Sequence, residues 1–257
     1  GVLLAAEGYD KFLIDHTNIS RDFIMLRAKI VLIVSAVLLA TASQAHDYWF
    51  ENIGEDYLLH RGHRFSQHQG EKEVPFDPKI VTGAFCLRLG DADPSPVAVG
   101  GGYPLRLAGP CVAVMVTADS GYWSQTLTGT RNQARDELVG VLRSWQALES
   151  VKRVEAWAKR LREPLSTDLE LVFTENPFTL AVGDKLRLTA VFRGEPAQGI
   201  TVAYDGDPRG VTGDDGRVNL RIRHKGLQLI TASLEEPLDS EKADKRVRST
   251  ILMLDIQ

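Results

Sequence analysis

The spacing of apolar and polar positions changes twice along the chain. Between residues 46 and 130 the apolar residues come in short runs separated by turn formers, which predicts strands. Tyr57-Leu58-Leu59 precedes Arg61-Gly62, read as a turn, and Ile80 to Leu89 mixes β-branched and aromatic residues. Cys111 to Thr117 reads as a buried strand, and Pro94, Pro96 and Gly100-Gly101-Gly102 punctuate the region. Between 131 and 165, Leu138, Val141, Leu142, Trp145, Leu148, Val151, Val154, Trp157 and Leu161 recur at helical spacing, with charges between them and Pro164 as a stop. That pattern predicts one amphipathic helix packed on a sheet. Between 166 and 257 β signals return over Leu169 to Phe173, Lys185 to Phe192, Ile200 to Tyr204, Arg217 to Ile222, Leu227 to Ser233 and Arg248 to Ile256. Arg193-Gly194-Glu195-Pro196 and Gly213-Asp214-Asp215-Gly216 read as turns among them. The expected fold is mainly β: two immunoglobulin-like or prealbumin-like β-sandwich parts, 46–130 and 166–257, joined by a helical segment over 131–165.

The first 45 residues follow another logic. Met25 is followed by Arg27 and Lys29, an apolar run from Ile30 to Ala40 interrupted only by Ser35, and the small residues of Ser43-Gln44-Ala45. These are the three parts of a secretory signal peptide over 25–45. The run is shorter than the roughly 20 residues of a comfortable membrane span. Cleavage after Ala45 would expose His46 as a new N-terminus and deliver the protein to a periplasm, with no direct membrane insertion afterwards. Residues 1–24 read as a gene-model extension.

Composition narrows the choice of partner. Hydrophobic residues are 44% and charged residues 25% of 257, which excludes a disordered or low-complexity chain. A net charge of -4 gives no basic excess for nucleic acid. The two cysteines, Cys86 and Cys111, are expected to pair in an oxidising compartment.

Four of the six histidines, His46, His60, His63 and His68, fall in one short stretch. A processed N-terminal His46 would offer its α-amine and its ring Nδ1 to the same ion. Amine and imidazole nitrogens suit Ni(II), Co(II), Cu(II) and Zn(II). A turn at Arg61-Gly62 would aim His60 and His63 at one centre, His68 could join them, and Asp47 and Glu51 could orient the rings or add oxygens. His224 is expected at a strand end, its role open. No GxSxG elbow or P-loop is present, and Asp205, Asp207, Asp214 and Asp215 lack the calcium-loop spacing.

His46-Asp47-Tyr48-Trp49-Phe50 and Leu59-His60-Arg61-Gly62-His63-Arg64-Phe65 resemble segments of a periplasmic family associated with nickel and cobalt uptake, a NikM-like domain of unknown function. Leu169-Glu170-Leu171-Val172, Asn176-Pro177-Phe178, Val182-Gly183-Asp184 and the Gly210 to Arg217 turn are similar to its C-terminal half. Gly213 stands where that family has an acidic or small residue, and the last strand lacks its aromatic. The resemblance implies a non-enzymatic accessory protein that captures Ni(II) or Co(II) and serves a membrane metal importer. Two other readings stand beside it: a β-sandwich interaction module without metal, and a copper-dependent oxidative enzyme with a histidine brace.

Overall fold

The computed structural model describes residues 47–64 and 71–257, so the expected signal segment, His46 and His68 lie outside the described residues. Residues His46–Gln257 cluster as one compact unit. Its first strands are β1 (Asp47–Ile53), β2 (Asp56–Gly62), β3 (Val81–Leu87), β4 (Ser95–Pro96), β5 (Leu105–Leu107), β6 (Ala113–Thr126), β7 (Gly129–Arg131) and β8 (Val141–Val154). They are followed by β9 (Glu170–Phe173), β10 (Lys185–Phe192), β11 (Glu195–Pro196), β12 (Thr201–Tyr204), β13 (Asp207–Val211), β14 (Arg217–Arg221), β15 (Gly226–Pro237) and β16 (Lys245–Ile256). Among the described residues, helix is confined to four short 3₁₀ turns. No helix among them is long and apolar enough to cross a membrane.

Three sheets result. The widest runs β13-β12-β15-β16-β8-β6-β3-β4, with β7 added beside β6. A small sheet, β1-β2-β5, comes from the N-terminal part. A third sheet is built on β10, which pairs with β9, β11 and β14. All pairings are antiparallel except that of β16 with β8, at the centre of the wide sheet.

The wide sheet is a middle layer with an apolar core on each face. Along β6, Ala113 and Met115 enter the core shared with β9, β10 and β14, whereas Val114 and Val116 enter the core shared with β1, β2 and β5. Along β16, Leu252 and Leu254 join the first core, and Ile251 and Met253 the second. This is the period of two expected of a strand covered on both faces. The N-terminal and C-terminal parts therefore share one sheet.

The expected helix over 131–165 does not form. Residues 141–154 are β8, paired with β6 on one side and β16 on the other. Gly140, at φ 72, turns the chain immediately before it. Two of the charges read as a solvated helix face, Glu149 and Lys152, are buried with partners instead. Glu149 faces the N-terminal sheet and takes a hydrogen bond from Ser120. Lys152 faces the C-terminal sheet, where its Nζ is 2.7 Å from Glu170 Oε1 and donates to Leu171 O at 2.6 Å. A strand with two buried faces leaves no polar stripe to betray its period.

Cys86 and Cys111 are disulfide-bonded, their Cα atoms 5.5 Å apart, as expected. The bridge ties β3 to the segment entering β6 and is itself buried in the N-terminal core.

Candidate metal centre in the N-terminal sheet

The β1–β2 hairpin places Trp49 directly opposite His60. The two rings stack, with centroids 5.4 Å apart and planes 6° from parallel. Tyr103 meets the His60 ring edge-on at 6.2 Å, and Phe76 meets Tyr103 in turn. This aromatic wall leaves His60 only 8% exposed.

The chain then doubles back. Val74 N–H donates to Arg61 O at 2.7 Å and His63 N–H to Lys72 O at 3.2 Å. Only glycine fits at position 62, because a Cβ there would stand 2.3 Å from Lys72 O. The approach delivers Glu73 to the histidine: Oε1 lies 2.8 Å from His60 Nδ1. A carboxylate only accepts, so Nδ1 carries the proton and Nε2 of the neutral ring keeps its lone pair. The same hydrogen bond is the largest influence holding the Glu73 carboxyl below its ordinary range. Burial pushes the neighbouring Tyr103 hydroxyl up to about 12, so it stays protonated.

Nε2 is buried and has no hydrogen-bond partner among the described residues. Its nearest carboxylate oxygen is Glu51 Oε2, at 3.7 Å. Two donors each about 2.1 Å from one ion stand roughly 3.4 Å apart at a tetrahedral angle. The pair therefore has about the separation that two ligands of one metal require. Arg64 Nη1 reaches the same Glu51 oxygen at 3.3 Å.

The structure brings together His60 and Glu51 from the predicted set. The expected turn at Arg61-Gly62 is instead the end of β2, so His60 and His63 do not flank a turn. Asp47 lies opposite Gly62 in the last described pair of the β1–β2 ladder, and His63 follows β2. His46 and His68 themselves are outside the described residues. Among the described residues, no three His, Cys, Asp or Glu form a group able to hold a metal. His224 is committed elsewhere. Its Nδ1 bonds Lys225 O at 2.9 Å and its Nε2 bonds Asp205 Oδ2 at 2.8 Å, clasping the β12–β13 turn.

Sequence reasoning missed Glu73, Trp49 and Tyr103, which orient His60. It also missed a buried polar cluster beside the start of β1. There Tyr48 lies within hydrogen-bonding distance of Ser120, at 3.3 Å, and Ser120 donates to Glu149. The Arg61 guanidinium stands 5.9 Å over the Tyr48 and Trp123 rings. Burial pushes the Glu149 carboxyl up, opposed by the Ser120 hydrogen bond and by Arg61, while Asp47 adds to the rise.

A hairpin sheet bearing a carboxylate-oriented, buried histidine, packed on a wider β layer, defines a β-rich domain. The chain belongs to a family described as a domain of unknown function (DUF4198), whose model matches residues 43–236. That description names no ligand or reaction. No curated protein matches the chain.

Proposed function

We propose that this is an exported, non-enzymatic transition-metal-binding protein that holds Ni(II) or Co(II) for a membrane uptake system. The observation that carries the reading is the His60 ring. Its Nδ1 is fixed by Glu73 while its buried Nε2 is left with a lone pair 3.7 Å from Glu51. A metal-ligating histidine characteristically hands its second nitrogen to a carboxylate, which sets the tautomer and raises ligand basicity. An apolar wall around such a ring is costly unless something binds the nitrogen it hides.

In this reading His60 supplies one imidazole and Glu51 one oxygen. His46, with its α-amine freed by signal cleavage, His63 and His68 complete the sphere. Nitrogen-rich sites of this kind favour Ni(II), Co(II), Cu(II) or Zn(II) over harder ions. Binding would release the protons held by the α-amine and the rings.

Isothermal titration of the four metals into the mature protein tests the proposal, beside His60→Ala and a form with one residue added before His46. The reading predicts tight Ni(II) or Co(II) binding that weakens in His60→Ala and in the extended form. A flat response of the mature protein to all four metals would discard it. That outcome would leave an exported β-sandwich interaction module.

A further inference from the structure

The sheet over β10 is narrower than the middle layer on which it packs. It leaves a strip over β3 and β6 uncovered, and residues 164–168 wall that strip to form an open bay of about 570 Å³. Small-molecule sites span roughly 300–1,000 Å³. The lining that matters is Thr82, Phe85, Thr117, Ser166, Thr167 and Asp168. From these residues we infer that the bay binds a neutral polyhydroxylated ligand, of the size of a mono- or disaccharide. The inference does not depend on the metal reading.

The floor is shaped for a flat apolar face. Gly83 has no side chain, and the Phe85 ring folds back over it: a Cβ at 83 would stand 2.8 Å from Phe85 Cε2 and 2.9 Å from Thr117 Oγ1. The ring thus lies along the sheet beside the hydroxyls. Pyranose C–H groups are weakly positive and lie well against the negative face of an aromatic ring. Thr82 and Thr117 share one hydrogen bond, at 2.9 Å, which leaves the pair one donor and further acceptor positions for a ligand.

The wall is held from behind. Glu170 is fully buried, and its Oε2 accepts from the backbone N–H groups of Leu165 at 2.8 Å and Ser166 at 3.2 Å. Its other oxygen is anchored by Lys152 on β8. A buried ion pair is weak as a source of stability, and one of its uses is to fix a geometry. Here it fixes the wall. Asp168 is set in the same way: Oδ1 accepts from Arg248 Nη1 at 2.8 Å, and its own N–H donates to Ser166 Oγ at 3.2 Å. Arg248 is buried; its Nε also donates to Glu236 Oε2 at 2.7 Å, and its guanidinium lies over the Phe192 ring.

These contacts decide the ligand class. Among the described residues no lysine or arginine lines the bay, so it offers a phosphate or carboxylate no cationic side chain. The Asp168 charge is already matched by Arg248, so a cation gains little. A hydroxyl-rich neutral ligand satisfies the remaining acceptors and stacks on Phe85.

Glucose, maltose and cellobiose, with glucuronate as the charged probe, would be titrated into the full protein. Saturation-transfer NMR and calorimetry are the readouts. The inference predicts transfer to pyranose ring protons of at least one neutral sugar, and its loss in Phe85→Ala. It predicts binding about tenfold weaker in Asp168→Asn, the loss of one charge-assisted hydrogen bond. Thermal melting of each variant checks the fold, and exposed Thr82→Val serves if Phe85→Ala fails to fold. Absence of transfer from all three neutral sugars would overturn the inference. So would transfer that survives Phe85→Ala, or glucuronate binding as tightly as glucose.

Discussion

Glu73 sets the tautomer of His60 from 13 positions further along the chain, and Gly62 makes the approach possible. Removing such an orienting carboxylate lowers metal affinity by about 10- to 100-fold. Glu73→Gln should show that loss in a Ni(II) titration with the melting temperature little changed, because its side chain is half exposed. Gly62→Ala should cost both affinity and stability, since its Cβ would push back Lys72 and Glu73 together. His224 makes a prediction about pH. Its pKa is raised above the ordinary 6.5, first by the Lys225 carbonyl and then by Asp205. The folded state therefore prefers the protonated ring. The stabilisation is fully present below 6.5 and fades as pH rises through the higher folded value. Melting curves across that window should fall for the wild type and flatten for His224→Gln; parallel curves would refute the clasp. Of these residues only the histidines could be found from sequence. Nothing in the local pattern marks Glu73, whose role exists only because residues 71–74 return against β2.

β8 is where sequence and structure part. Its apolar residues happen to repeat at helical intervals, and Glu149, Lys152 and Arg153 look like a wet face. Gly140 was the signal available, since a glycine inside a helical run is as readily a turn. Six of the eight C-terminal strands, all but β11 and β13, were legible because turn residues bracket them, and β10 spans Lys185–Phe192 as expected. The partners of Lys152 were not legible, because Glu170 reaches it from another sheet. Lys152→Met alone should destabilise the protein by about 3–5 kcal/mol, the cost of stranding a buried carboxylate. Adding Glu170→Leu should recover only part of this, since Leu165 and Ser166 N–H groups would still lose their acceptor. Urea titrations of the single and double variants measure both values, and additive losses would contradict the pairing.

At the scale of the molecule, the two β parts share a central sheet whose faces carry different cores. Each outer sheet packs on that common support, with the buried His60 in the N-terminal sheet and the open bay beside the C-terminal one. The edges of the middle layer are poor templates for strand addition. β13 carries Pro208 and Arg209, and β4 is two residues long. The Cys86–Cys111 bridge closes a loop across 25 positions in the N-terminal core. Replacing both cysteines by serine should lower stability by about 3 kcal/mol, the loop-closure entropy for that length. Guanidinium unfolding of the double variant reads the loss; an unchanged midpoint would show that the core alone holds β3 to β6. The pairing was legible because the chain has only two cysteines, whereas the shared sheet depends on the parallel join of β8 and β16 across the whole C-terminal part.

The central claim is that His60 binds a metal through Nε2. Pulsed EPR of the protein loaded with Cu(II), used as a spectroscopic stand-in, tests it most directly. An imidazole bound through one nitrogen modulates the echo through its remote, protonated nitrogen. The account predicts that modulation in the wild type, weaker in His60→Gln and shifted in Glu73→Gln, where the remote N–H has lost its carboxylate. Identical spectra for the wild type and His60→Gln would contradict it.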